Sequence, residues 1–268
     1  MMRETAYAKL NLALHVRARE ADFYHRIETI FAFCADGDEL TVEEGDGLTL
    51  RVAGRFADGL EGPDNLVLQA AAALRNHYRV NSGASLSLDK RLPVAAGLGG
   101  GSADAAAALR LLVRWWRLPE KPEILYAIAR QLGADVPACI ESRTVRGEGR
   151  GDDLMPVARD FDRPMHVLLV NPGVAMPTGP VFAGWDGTDR GPLGDELLGR
   201  NDLLEPARRI APVIDEALDS LAGATHANMS GSGATCFGLY ESLADIDAAE
   251  ARIAAAHPAW WTLKTCLR

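Results

Sequence analysis

The stretch Pro93 to Leu109, PVAAGLGGGSADAAAAL, places four glycines among residues 97–101 and runs directly into alanine-rich sequence. Glycine has no Cβ and reaches backbone angles closed to other residues, so such a run lets the chain bring its own amides close to a partner. A flexible linker would be followed by more linker, whereas Ser102 to about Trp116 is rich in strong helix formers. A dinucleotide fingerprint requires Gly-x-Gly-x-x-Gly after a first strand with an acidic residue downstream, and GLGGGS lacks that spacing. A Walker loop requires Gly-Lys-Ser/Thr before the helix, and no lysine lies between Lys90 and Lys121. What remains is a cradle of amides at a helix N-terminus, where the helix dipole carries roughly +0.5 charge and favours an anion. Ser102 falls at or near the N-cap of this helix, its hydroxyl either bonding a backbone amide or facing the ligand.

Around this stretch, sheet and helix patterns alternate. Residues 3–16 alternate apolar and polar as a strand, and residues 26–54 read as further strands joined by Asp and Gly turns. Residues 63–78 form a helix capped by Asp64 or Asn65, and residues 83–92 form another strand. A helix from about Glu120 to Leu132 ends at Gly133. Composition resets after GEGRGDDLMPV, and PMHVLLVNPG is a buried strand, which places a domain boundary near residue 155. The second part carries helices near 178–184, 203–221 and 242–256 and strands near 226–230, 234–240 and 260–267, with residues 186–199 as a mobile surface loop.

Composition removes several classes of function. A formal charge of −9 argues against nucleic acid as a partner, because phosphate backbones reward clustered Lys and Arg. No apolar run approaches the roughly 18 residues of a membrane span. Arg3, Glu4 and Lys9 interrupt any apolar core a secretory leader would need, so the expected location is the cytoplasm. The four cysteines and six histidines are scattered, which indicates neither a disulfide framework nor a protein-caged metal.

Single residues are ambiguous on their own. Lys9, in an otherwise apolar strand, is in isolation a strand-edge lysine whose amine reaches water. Asp135, in LGADVP, could cap a short helix, and Asn65 could be no more than an N-cap. Tyr24 and His25 could simply anchor a loop.

Three ordered segments narrow these alternatives. AYAKLNLALHV near the start, PVAAGLGGGSADAAAAL, and NMSGSGATCFGL at 228–239 resemble the three motifs of the GHMP kinases, the superfamily of galactokinase and of the homoserine, mevalonate and phosphomevalonate kinases. DFYHRIETIF, DNL, DKRLPVAAGLGGGSADA, LGADVP and GVAMPTGPVF narrow the resemblance to the branch acting on a cytidine diphosphate-linked methylerythritol in non-mevalonate isoprenoid synthesis. The resemblance implies a two-lobed α+β fold, with a ribosomal-protein-S5-like lobe over residues 1–154 and a ferredoxin-like α/β sandwich lobe over 155–268, ATP binding between them. It implies transfer of the γ-phosphoryl group of ATP to the 2-hydroxyl of that small molecule, by a monomer or weak homodimer. Magnesium would arrive with ATP and be held by phosphates and water. The alternatives are another small-molecule kinase of the superfamily and a non-catalytic nucleotide-binding protein on the same fold.

The resemblance also assigns residues. Asp135 becomes the base and Lys9 its electrostatic partner, types suited to phosphoryl transfer to an alcohol. Asn65, Leu66 and Lys90 match positions lining the adenine pocket. Pro93, Val94, Ala95, Ala96, Gly97, Leu98, Gly99, Gly100, Gly101, Ser102 and Ala103 form the ATP loop. Tyr24 stacks on cytosine, His25 bonds its edge, Phe182 is the second face and Thr178 a polar neighbour. Asn11 shares a strand face with Lys9 and lies near the reacting hydroxyl. Gly231, Ser232 and Gly233 abut the substrate phosphates or support the first glycine loop. Phe23 stands where the family has glycine, so the turn there either avoids positive φ or is strained.

Overall fold

The computed structural model describes residues 1–157, 161 and 165–268. Two long strands, β1 (Met2–Arg19) and β2 (His25–Glu43), pair with each other and contribute residues to both of two compact units.

The first unit comprises Met1–Ala8, Asp36–Val94 and Gly99–Ser142. It holds β3 (Leu48–Ala53), α1 (Leu66–Tyr78), β4 (Ala84–Asp89), α2 (Gly100–Trp115), α3 (Pro122–Leu132) and α4 (Val136–Glu141). β3 runs parallel to β4, with Leu48 opposite Ala84, and β4 runs antiparallel to β2, with Glu39 opposite Asp89. α2 packs on α1 and α4. Its residues Ala103 to Leu109 are all buried, and the run of alanines keeps the helix slim enough for neighbours on several sides. Arg110 ties the helix down by donating to Glu4, to the Cys139 and Thr5 carbonyls, and to Ser142.

Asp36, Gly37 and Asp38 do not make the turn expected of them; β2 continues through all three. A Cβ on Gly37 would lie 1.9 Å from the Ala6 carbonyl oxygen, so glycine is required by the close approach of β1. Asp38 is fully buried in the strand because ligands meet its carboxylate: the Arg91 and Leu92 amides donate to Oδ1, and Lys90 donates to Oδ2.

The second unit comprises Lys9–Ala35, Ala95–Leu98 and Arg143–Arg268. GEGRGDDLMPV, read as the approach to a boundary, instead makes a hairpin of β5 (Val145–Glu148) and β6 (Asp153–Pro156), with β5 antiparallel to β2. The remainder is β7 (His166–Asn171), α5 (Thr178–Ala183), α6 (Leu204–Ile210), α7 (Val213–Ser220), β8 (His226–Met229), β9 (Cys236–Tyr240), α8 (Leu243–Ala256) and β10 (Trp261–Cys266). The helix expected over 203–221 breaks at Ala211 and Pro212, since proline supplies no amide to continue it. Strands run in the order β10-β7-β9-β8, all antiparallel, with α7 and α8 packed on the sheet. Leu168, Val170, Ile214, Cys236, Tyr240, Ile246 and Ile253 form its core.

Residues 186–199, expected to be mobile, are pinned instead. Leu193 is buried, its amide donates to Glu28, Arg17 pairs with Asp189, and Arg146 donates to the Gly194 carbonyl. Cys34, Cys139, Cys236 and Cys266 are not joined in disulfides. Among the described residues no helix is long and apolar enough to cross a membrane.

Gly37→Ala should lower the free energy of unfolding by about 1–3 kcal/mol, the usual cost of overpacking. Gly47→Ala, whose added Cβ meets nothing within 4 Å, should change it by less than about 0.5 kcal/mol. Urea denaturation of the two variants side by side checks this pair.

Candidate active site

The glycine loop is held by its carbonyls. Four consecutive ones accept hydrogen bonds within the second unit: Ala95 from the Met176 amide at 3.1 Å, Ala96 from the Thr235 amide at 3.2 Å, Gly97 from Ser230 Oγ at 2.8 Å, and Leu98 from the Lys9 amide at 3.0 Å. A trans peptide points its N–H opposite to its C=O, so fastening one side of the loop fixes where its amides face. Gly97 has φ +77°, and a Cβ there would fall 2.2 Å from the Ser230 carbonyl oxygen. Gly231 at φ +55° faces the Gly97 carbonyl, so NMSGSGATCFGL is the wall against which the first loop is packed. Of its members, Gly231 and Gly233 supply the close backbone approach, and Ser232 lies 3.3 Å from Thr178 Oγ1.

Ala95 takes a left-handed φ of 51°. One detail of the loop differs from expectation. The N-cap of α2 is Gly99, φ 62°, rather than Ser102, and it makes no side-chain cap bond. The helix therefore opens at Gly100, with Gly101 exposed and Ser102 in its third position. The first amides of a helix have no partner within it. With no capping side chain, they are available to an anion.

On β1, Lys9 does not reach water as a strand-edge lysine does. It is 3% exposed, donates to Asn11 Oδ1 at 2.8 Å and lies 5.1 Å above the Phe31 ring. Asn11 Nδ2 donates to Thr29 Oγ1, Thr29 donates to the Ala13 carbonyl, and the Asn11 amide donates to Ser230 Oγ. Thr29 and Ser230 are the residues that sequence reasoning missed. The alternation of β2 is a signal that could have found Thr29, because His25, Ile27, Thr29 and Phe31 share one face.

His25 sits between aromatic rings. Its centroid is 5.1 Å from Phe182, tilted 41°, and 5.8 Å from Trp185, edge to face. Burial, and then the Arg19 charge, hold its imidazole below the usual histidine range. Tyr24 is 55% exposed, with the Arg150 guanidinium 3.9 Å from its ring centroid. Phe23 adopts φ +68°, the strained option at the turn, with Arg19 over its ring.

In the first unit, Asn65 caps α1: Oδ1 accepts from the Val67 amide at 2.9 Å and Nδ2 donates to the Leu60 carbonyl at 2.8 Å. Leu66 lies beside Gly101. Lys90 is 2% exposed, and its ammonium bonds Asp38 at 2.5 Å and Asp104 at 2.6 Å. Burial alone would lower its pKa, but the two carboxylates raise it overall. Pro93 is buried, Val94 is exposed, and Ala96, Leu98 and Ala103 are packed in the interior. Asp135 precedes α4 with helical backbone angles, is half-buried, and makes no cap bond to that helix.

Among the described residues no group of three or more His, Cys, Asp or Glu is arranged to hold a metal.

Comparisons with known proteins place the chain in a family. Residues 65–143 match the model of the GHMP kinases N terminal domain, and residues 188–259 match that of the GHMP kinases C terminal. The 4-diphosphocytidyl-2-C-methyl-D-erythritol kinase of Rhizorhabdus wittichii is 54% identical, over 99% of this chain and 94% of the relative. That of Sphingopyxis alaskensis is 51% identical, over 100% and 99%. A crystal structure of 4-(cytidine 5'-diphospho)-2C-methyl-D-erythritol kinase superposes with a TM-score of 0.83 at 33% identity, covering 99% of both chains. Homoserine kinase from Cytophaga hutchinsonii, covering 98% of this chain and 95% of its own, shares the fold at a TM-score of 0.71 and 16% identity. With an uncapped glycine-opened helix, a second glycine segment packed on the loop, and both family models matched in order, the chain belongs to the GHMP kinases.

Proposed function

We propose that the chain transfers the γ-phosphoryl group of ATP to the 2-hydroxyl of 4-diphosphocytidyl-2-C-methyl-D-erythritol, giving the 2-phosphate in non-mevalonate isoprenoid precursor synthesis. The observation that carries this reading is identity above 50% along the whole chain to kinases of that name. Mevalonate and homoserine kinases are alike in fold alone, at 16% identity. The His25–Phe182 pair supports the choice of substrate. A neutral imidazole held against an aromatic face offers one donor and one acceptor to a base edge, which a substrate without a base does not require.

In this reading, with family lobes over 1–154 and 155–268, the loop from Pro93 to Ala103 takes the nucleotide phosphates. Asn65 and Leu66 line the adenine pocket, Asn65 by position, since its amide is committed to the cap. Asp135 accepts the proton of the 2-hydroxyl as its oxygen bonds the γ-phosphorus and the bond to the β-phosphate oxygen breaks, releasing ADP. Lys9, fixed by Asn11, keeps a positive charge at the reacting centre. Magnesium bound to the phosphates neutralises charge on their oxygens. Tyr24 and Thr178 complete the cytidine side.

A coupled ADP-release assay should show turnover with the cytidine substrate and none with mevalonate; turnover with mevalonate alone overturns the assignment. Asp135→Asn should reduce kcat by about 100-fold or more while leaving the ATP dissociation constant within about threefold. Phe182→Ala should raise KM for the cytidine substrate by about tenfold and leave KM for ATP unchanged. Because the His25 pKa is lowered, the imidazole is neutral at pH 7 and takes up a proton only below the usual histidine range. KM for the cytidine substrate should be flat from pH 7 to 8.5 and rise on acidification below about 6.5; a His25→Ala variant should lose that acid limb.

A further inference from the structure

Beneath the first turn of α2 lie three charged side chains that the transfer itself does not use. Asp38, on β2, is 0% exposed; Lys90, just after β4, is 2% exposed; and Asp104, on α2, is 4% exposed. Lys90 Nζ bonds Asp38 Oδ2 at 2.5 Å and Asp104 Oδ2 at 2.6 Å. Asp38 is fixed through Oδ1 by the Arg91 and Leu92 amides at 2.6 and 2.8 Å. A Cβ on Gly100 would lie 3.0 Å from Lys90 Nζ and 3.8 Å from Asp38 Oδ2, so the backbone of the turn rests on the cluster with nothing between them. Asp104 Oδ1 is buried and has no hydrogen-bond partner.

We infer that the Asp38–Lys90–Asp104 cluster positions the nucleotide: it seats the first turn of α2 and, through a proton carried on Asp104, sets the charge that bound phosphates meet. The inference rests on the reading of that turn as the ATP phosphate cradle. One ammonium and two carboxylates sum to −1 when all are ionised and to zero when Asp104 is protonated. A buried carboxylate oxygen without a partner is costly as an anion, which favours the protonated form. Lys90 and Asp38 are the charged groups acting on Asp104. Burial first, Lys90 pulling down and Asp38 pushing up, place its pKa at about 7. Phosphates bound above the turn repel the ionised form. The protonated form therefore binds the nucleotide more tightly, and affinity falls as pH rises through about 7.

The test is titration calorimetry of magnesium ATP with the wild type and with Asp104→Asn, an isosteric variant that cannot gain the charge. Between pH 6 and 8.5 the wild-type dissociation constant should rise by at least about threefold relative to that of the variant. Near pH 7.5 the wild type should take up a fraction of a proton on binding, read from the dependence of the heat on buffer ionisation enthalpy, and the variant should take up none. Parallel pH profiles overturn the inference. So does an absence of proton uptake by the wild type, a measurement that does not need the variant to fold. Turnover of the cytidine substrate is followed in parallel: turnover with parallel profiles overturns the inference alone, and a pH difference without turnover overturns the kinase reading alone.

Discussion

The contact on which the glycine loop depends is between two stretches of bare backbone. Gly97 meets the Ser230 carbonyl and Gly233 at distances that leave no room for a Cβ. Any side chain there would separate the segments and break the hydrogen bonds from Ser230 and Thr235 to the loop carbonyls. The site is therefore built by omission. Glycine gives up conformational entropy on folding, and in exchange four successive carbonyls are satisfied internally.

Two lysines are held away from water. Lys9 at 3% exposure and Lys90 at 2% both lie far inside the range usual for lysine. Each is fixed differently. Lys9 meets a neutral amide and an aromatic face. Lys90 is enclosed by two carboxylates, which hold it while cancelling its charge.

Much of this arrangement could be read from the sequence. The alanine-rich helix, the Asn65 cap and the strands of the second unit follow from periodicity and capping signals, and the glycine loop from the exclusion of its rivals. What escaped depended on tertiary partners. Asp-Gly-Asp at 36–38 has the composition of a turn, yet β2 passes through it because Asp38 has Lys90 and two amides to bond. Lys90 gave no local sign that its amine is engaged by Asp38 and Asp104. Ser102 looks like a cap, but the left-handed Gly99 starts the helix three residues earlier in the chain. Residues 186–199 have the polar, glycine-containing composition of a free loop, and the bonds from Leu193 to Glu28, from Arg17 to Asp189 and from Arg146 to Gly194 join residues distant in sequence. The Tyr24 ring shows the same limit: the sequence places it next to His25 but cannot show that Arg150 covers it.

The order in which segments join the two units bears on how the chain is made. Residues 9–35 belong to the second unit, whose remaining bulk starts at Arg143, after the first unit's last segment. During synthesis those strand residues emerge well over a hundred residues ahead of most of what they pack with, and pairing across such separations is slow. A single cut cannot release either unit whole, because the chain passes between them at residues 8, 35, 94, 98 and 142. Fragments of this protein should therefore be poor substitutes for its parts, because neither unit is a continuous stretch of chain.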